Sequence, residues 1–143
     1  MNKIKLHIDK NSFKKYNETI TGIIYLEIND FLFPEKNWND LIIVMMNNWV
    51  KSLRDIKYKV SEHAELLFFD GPFFIKVKML NEEDCIIEFF EDHRSKNILS
   101  TLQIKFEILV NEVFQIANLC STLCKKQNWE TEELNKLDIL LQK

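Results

Sequence analysis

The chain has 143 residues and a formal net charge of −3. This near-neutral balance lacks the excess of Lys and Arg that binding to nucleic acid or to an anionic membrane surface requires. Hydrophobic residues make up 46% of the sequence and there are only two glycines and two prolines, which argues against long disordered segments. We therefore predict one α+β domain over residues 1–143, with no nucleic-acid partner and no membrane partner.

The N-terminus and the cysteines indicate the compartment. Residues 3–9 alternate charged and aliphatic side chains, whereas a secretory signal needs an unbroken apolar stretch. The longest apolar run, residues 41–46, has six residues, and a membrane-spanning helix needs about 20. The chain has three cysteines, an odd number that favours a reducing compartment over a disulfide framework. These features predict a cytoplasmic protein.

The first predicted elements are two strands. Residues 3–9 place Ile4, Leu6 and Ile8 on one face, which is the alternation of a half-buried strand. Residues 10–21 lack an apolar period, and we interpret them as a long connection or a ragged extension of that strand. Residues 22–29 alternate again and predict a second strand, paired antiparallel with the first. Residues 30–37 then predict a loop.

Residues 38–53 predict the first long helix. They contain neither Gly nor Pro, and apolar residues recur three or four positions apart. We expect Asn37 or Asn39 at the N-cap and Asp40 in the first turn, where the helix dipole favours an anion.

The apolar face of this helix is unusually wide, because Ile43, Met46 and Val50 extend it beyond one stripe. Two interpretations stay open. The helix lies on the sheet and is flanked by another helix, or these three residues form a homo-oligomer interface, as in a homodimer.

Residues 64–79 carry the clearest local signal, a β-hairpin. An apolar run is followed by Asp70, Gly71 and Pro72, and strict alternation begins at Phe73. We expect Gly71 to adopt a positive φ. Because Pro72 follows directly, we also expect a loop longer than two residues.

The remaining elements complete the predicted fold. Residues 85–90 predict a further strand in a meander, and residues 91–97 a polar loop. Residues 98–104 fit a last strand or the start of the next helix. Amphipathic patterns predict helices over residues 105–126 and 131–141. The expected fold is an antiparallel sheet of five or six strands packed against two longer helices, with a short C-terminal helix.

No pattern of catalytic or metal-binding residues is evident. Cys120 and Cys124 share a helix face, but no His or Cys stands at a spacing that would complete a metal site. With Gly22 and Gly71 as the only glycines, the chain has no phosphate-binding loop. The sequence therefore predicts no enzyme activity, no metal and no cofactor.

An acidic run is the strongest surface feature. Six carboxylates and no Lys or Arg lie between residues 81 and 92. We predict that they form an acidic edge of the sheet, which is a solvated surface or the docking site of a basic partner protein. The residues are Glu82, Glu83, Asp84, Glu88, Glu91 and Asp92.

Four stretches carry a resemblance. FPEKNW precedes a helix containing NNW, ELLFFDGPFFIKV follows, and the second long helix ends in CKKQNW. In this order the chain resembles a group of small bacterial proteins of unassigned activity. In size and acidic balance it is similar to the immunity proteins that neutralise polymorphic bacterial toxins. The resemblance implies binding to a partner toxin and assigns no catalytic residue.

Three hypotheses for the function follow. The first is a non-catalytic protein-binding module, of the immunity type, that uses the acidic edge. The second is a homo-oligomeric structural or regulatory protein joined through Ile43, Met46 and Val50. The third is a small ligand-binding protein with a pocket between helix and sheet.

Overall fold

The computed structural model describes residues 3–94 and 97–142. Two residues of the predicted polar loop, 95 and 96, lie outside this part. The described strands are β1 (Ile4–Ile8), β2 (Lys14–Tyr16), β3 (Thr19–Ile28), β4 (Phe31–Phe33), β5 (Asn39–Asp40), β6 (His63–Leu67), β7 (Phe74–Met79), β8 (Asp84–Phe90) and β9 (Ile98–Lys105). The described helices are α1 (Ile42–Lys57), α2 (Phe106–Lys126) and α3 (Glu132–Leu141). The predicted α+β class is confirmed, with two longer helices and a short C-terminal one.

The first sheet is built around β3. Strand β1 pairs with it antiparallel, with Leu6 opposite Leu26, so the predicted pair is confirmed. Strands β2, β4 and β5 also pair with β3. The predicted loop over residues 30–37 therefore contains a short strand, because β4 places Phe33 opposite Leu26 and buries the Phe33 ring.

The second sheet is an antiparallel meander in the order β6-β7-β8-β9. The predicted hairpin and the strand interpretation of residues 98–104 are both confirmed. The strands form two sheets instead of the single sheet expected. The physical reason is the position of α1, which contacts β3 of one sheet and β6 of the other, so each sheet has its own apolar face to bury.

Helix α1 is the centre of the molecule, because α2 and α3 also pack against it. Ile43 is 2% exposed, and Met46 and Val50 are 0% exposed. The second apolar flank is thus covered within the chain and offers no surface to a second copy. The prediction of an oligomer interface at these three residues is wrong, since two sheets and two helices surround α1.

The start of α1 differs from the expectation. The helix begins at Ile42, with Leu41 at the N-cap and no side-chain cap bond, so the predicted cap at Asn37 or Asn39 is wrong. Asp40 precedes the helix in β5, where it is buried and accepts a 2.6 Å hydrogen bond from the Leu41 N–H.

The β6–β7 loop requires Gly71 for a reason the sequence did not predict. Among the described glycines none has a positive φ, so the expected conformation is wrong. A Cβ at Gly71 would instead lie 2.9 Å from Cη2 of Trp38, which is too close for any larger residue. The expectation of a loop longer than two residues is confirmed, because the Phe68 N–H donates to the Phe73 carbonyl at 3.2 Å.

Candidate protein-binding cleft

Three elements converge at one end of the molecule. They are the end of α1 with the loop after it, the β7–β8 turn, and the start of α2. Two adjoining clefts of about 690 and 510 Å³ lie between them. Both clefts are lined by Lys57, Glu82 and Phe106, so they form one continuous surface, which we call the α1–α2 cleft.

The floor of the α1–α2 cleft is apolar. Ile56 and Val110 are buried and contribute only their edges, whereas Leu80 is 51% exposed. Met79 and Phe106, which are partly buried, add further apolar surface to the cleft. Apolar side chains collected round a concavity, with a charged rim, are typical of protein-binding surfaces.

The rim of the cleft carries both signs of charge. Four carboxylates and three ammonium groups line it, namely Glu62, Glu82, Glu83, Glu107, Lys57, Lys59 and Lys105. Lys59 Nζ lies 3.3 Å from Glu82 Oε1, and Lys105 Nζ lies 3.5 Å from Glu83 Oε2. These pairs are exposed, and such pairs contribute only about 0–1 kcal/mol of stability. A partner can therefore exchange them for pairs of its own at little cost.

Hydrogen bonds to the Asn81 side chain order the β7–β8 turn, which carries Glu82 and Glu83. The side-chain oxygen of Asn81 accepts 2.8 Å hydrogen bonds from the backbone N–H groups of Glu83 and Asp84. Because this local bonding orders the turn, the carboxylates of Glu82 and Glu83 lie at the rim of the α1–α2 cleft.

The six predicted acidic residues do not form an edge. Strand β8 lies between β7 and β9, so the turn at residues 82–84 and the pair at residues 91–92 lie at opposite ends of an inner strand. Neighbouring elements also supply cations: Lys78 Nζ lies 3.1 Å from Glu88 Oε1, and Lys105 reaches both Glu83 and Asp84. The predicted acidic sheet edge is therefore corrected to a mixed-charge rim at the β7–β8 turn.

Sequence reasoning missed Leu80, Phe106 and the lysines of this rim. Lys59 precedes its partner Glu82 by 23 positions, and Lys105 follows Glu83 by 22. No local period connects residues so far apart.

The cysteines are structural. All three are free and buried. Burial raises the pKa of the Cys85 thiol to about 11, helped by the neighbouring Asp84 carboxylate. Burial likewise raises the pKa of Cys124 to about 11 and that of Cys120 above its usual range. A thiol that stays protonated at neutral pH is a poor nucleophile and a poor metal ligand.

The side chains of two histidines have structural partners. His7 Nε2 lies 2.8 Å from Glu27 Oε1. The His93 ring stacks on Phe74 with 3.7 Å between ring centroids, on the outer face of the second sheet. Among residues 3–94 and 97–142, no group of three or more His, Cys, Asp or Glu side chains could hold a metal ion. Within the same residues, no helix has the length and apolar character needed to cross a membrane.

Comparison with known proteins gives one structural likeness. No family model and no curated protein matches the chain. The fold is similar to that of a chain in the CdiA-CT/CdiI toxin and immunity complex from Enterobacter cloacae, with 14% sequence identity and a TM-score of 0.45. The superposition covers 82% of this chain and 99% of that chain.

Proposed function

We propose that this protein is a non-catalytic protein-binding module whose partner docks on the α1–α2 cleft. One observation carries the proposal: Leu80, which is 51% exposed, lies with Met79 and Phe106 in a cleft that has a charged rim. Exposed apolar residues gathered in this way mark interaction sites more often than residues scattered singly. The rim charges then provide orientation and speed of association.

The shape of the cleft favours a protein partner over a small ligand. Ligand pockets enclose most of their ligand and are mainly apolar, whereas this cleft is broad and its rim is charged. The space between α1 and the sheets, where a ligand pocket was one hypothesis, is occupied by side chains such as Met45 and Trp49, both 0% exposed.

The partner we propose is a toxin domain with a basic surface, which would make this a cytoplasmic protein of the immunity type. Four carboxylates face three ammonium groups at the rim, so the local balance is slightly acidic. Glu82 and Glu83 are among the most exposed of these groups. The size and acidic balance of the chain, which are similar to those of immunity proteins, also support this proposal.

The test is affinity capture of the tagged protein from its native cells, with mass spectrometry of the bound proteins. The variant Leu80→Lys adds charge to the cleft, and the matched control, Ile139→Lys, adds the same charge to an exposed apolar residue of α3. We expect one stoichiometric partner, retained by the control and bound at least about tenfold more weakly by the cleft variant. Equal retention by both variants would contradict the proposed site.

A second arm tests the charge of the partner. Reversing Glu83 and Asp84 to Lys is expected to slow association with a basic partner about two- to fivefold at low salt. The difference should vanish at high salt, because exposed charges are screened. An unchanged association rate at low salt would show that the partner is not basic at this rim.

A further inference from the structure

A small pocket lies where α2 meets α3. The chain turns between the two helices through Asn128, whose φ of 60° lies in the left-handed region. The Trp129 N–H donates to the Cys124 carbonyl at 3.2 Å, and Thr131 caps α3 by accepting the Leu134 N–H at 3.1 Å. These bonds fix the turn, which leaves a pocket of about 220 Å³ between the helices. We call it the α2–α3 pocket.

The α2–α3 pocket is separate from the α1–α2 cleft. Phe106 at the start of α2 lines the cleft, whereas Lys125 near its end lines the pocket. The helix has 21 residues, so at 1.5 Å per residue its two ends lie about 30 Å apart.

The size and walls of the pocket suit a single side chain. Pockets for drug-sized ligands have volumes of about 300–1,000 Å³, which is more than this pocket offers. Its apolar wall is formed by Trp129, which is partly buried against the core, and by the buried Leu134. A flat group of the size of one side chain can therefore pack beside an aromatic ring here.

The charges that line the pocket favour a cation. Two carboxylates, Glu130 and Asp138, and one ammonium group, Lys125, line it. Lys125 Nζ lies 3.2 Å from Asp138 Oδ2, and Ser121 Oγ donates to Asp138 Oδ1 at 2.6 Å. Within residues 3–94 and 97–142, Glu130 has no ion pair. An anion would meet this unpaired carboxylate, whereas a cation would pair with it.

The surrounding charges do not reverse this preference. Residues 125–138 carry four carboxylates and three ammonium groups. Lys136 Nζ lies 3.2 Å from Glu133 Oε1, and Lys126 is not among the residues that line the pocket. The negative end of the α2 dipole and the positive end of the α3 dipole meet here, and Glu132 and Glu133 in the first turn of α3 offset the positive end.

Two carboxamide groups complete the pocket. Asn128 and Asn135 line it, and in the described part of the chain neither side chain has a hydrogen-bond partner. Their oxygens can accept hydrogen bonds from a bound cation. A metal ion does not fit these residues, because no three His, Cys, Asp or Glu side chains of the described chain form a metal-binding group. A guanidinium fits better, because it is planar, donates up to five hydrogen bonds and stacks on aromatic rings.

We propose that the α2–α3 pocket binds a guanidinium group. Glu130 serves as its counter-ion, Trp129 as its aromatic wall, and Asn128 and Asn135 as further acceptors. Two sources share this chemistry, namely an arginine side chain of another protein and free arginine. The inference goes beyond the function proposed for the α1–α2 cleft and does not depend on it.

The experiment titrates the full ¹⁵N-labelled chain with arginine that is blocked by acetyl and amide groups, and NMR follows the indole N–H signals. The chain has three tryptophans, and Trp129→Phe identifies the signal of Trp129. Citrulline blocked in the same way is the matched control ligand, because it has the shape of arginine without the charge. Free arginine, which keeps a charged ammonium and carboxylate at Cα, distinguishes the two sources.

We expect a saturable shift of the Trp129 signal, with half-saturation at about 1–10 mM blocked arginine. Blocked citrulline should bind at least about fivefold more weakly, because charge strengthens the hydrogen bonds to Glu130. Glu130→Gln should weaken the binding of blocked arginine about three- to fivefold. Glu132→Gln removes the same charge two positions away, outside the pocket, and should change the affinity less than about twofold. Tighter binding of blocked than of free arginine would indicate the side chain of a protein, and the reverse would indicate the free amino acid.

Three results would overturn the inference. They are an unmoved Trp129 signal at about 50 mM blocked arginine, equal binding of blocked citrulline, and equal effects of Glu130→Gln and Glu132→Gln. The capture test with the Leu80 variant examines the opposite end of α2, so a failure of the α2–α3 pocket is distinguishable from a failure of the α1–α2 cleft.

Discussion

The two outer edges of the second sheet differ in what contacts their backbone groups. The β6 edge lies against α1, and Asn48 and Trp49 of that helix bond the backbone of Leu67. Just beyond it, the Phe69 N–H donates to both carboxylate oxygens of Asp40 at 3.1 Å. The β9 edge has no strand beyond it in the described chain. The difference teaches that the helix at the core closes the β6 side of the sheet, whereas β9 has only β8 as a neighbour among the described strands.

The closed side is also where the aromatic residues collect. Phe33 packs edge-on against Phe68, Phe73 and Phe89, with ring centroids 5.1 to 5.6 Å apart. Trp49 contacts Phe68 in the same geometry at 5.4 Å. Such edge-to-face pairs stabilise beyond their buried area, by about 0.5–1.5 kcal/mol each. We expect this side to unfold last and β9 to open first.

Among the substitutions at the β6 edge, removal of the Trp49 side chain should lower the free energy of unfolding most. Trp49→Ala deletes a side chain that is 0% exposed and leaves the Leu67 carbonyl without its indole donor, so we expect a loss of about 3–5 kcal/mol in the free energy of unfolding. Urea denaturation measures it. Trp49→Phe keeps most of the ring volume and should lose less. A loss below about 1 kcal/mol for the alanine variant would show that α1 does not close this edge.

Asp40→Ala should have the next largest effect. The change leaves the Trp38 indole N–H and the backbone N–H groups of Leu41 and Phe69 without their acceptor. Each unpaired buried donor costs about 1–3 kcal/mol, and partial access of water reduces the sum, so we expect about 3 kcal/mol. Asp40→Asn keeps one oxygen and should recover part of the loss, as thermal unfolding of the three proteins would show. Equal stability of all three would contradict this role.

The smallest loss of stability is expected for Asn48→Ala at the β6 edge, which is compared with a control substitution in β9. Asn48→Ala removes the acceptor of the Leu67 N–H, with an expected loss of about 1–2 kcal/mol and faster hydrogen exchange at Leu67. Thr101→Ala, its matched control, changes an exposed side chain of β9 and should stay within about 0.5 kcal/mol of wild type. Equal losses at the two positions would contradict a specific role for the bond between Asn48 and the Leu67 N–H.

Local pattern was sufficient for most elements of the fold. Strict alternation predicted β1, β3 and the β6–β7 hairpin, and helical spacing predicted α2 within one residue of its start. The C-terminal helix was placed equally well, because Thr131 caps it by accepting the Leu134 N–H at 3.1 Å. Each of these signals depends on residues close together in the chain.

Sequence pattern did not predict contacts between residues that are distant in the chain. The wide apolar face of α1 was correctly recognised, but the sequence could not distinguish cover by the chain itself from cover by a second copy. The acidic run was visible, whereas Lys59, Lys78 and Lys105, which lie beside it in the folded protein, come from three other elements. Asp40 was expected in a helical turn and instead serves as a buried acceptor for a loop 29 residues away.

The sequence by itself determined the α+β class, the identity of the hairpin and the three helices, since hydrophobic periodicity and capping act over a few residues. Only the tertiary structure decided that the strands divide into two sheets, that α1 closes the edge at β6 and that β9 is the last strand of its sheet. Those features depend on which side chains meet across the core. Those contacts are decided by packing between elements that are far apart in the chain, and hydrophobic periodicity within one element cannot predict them.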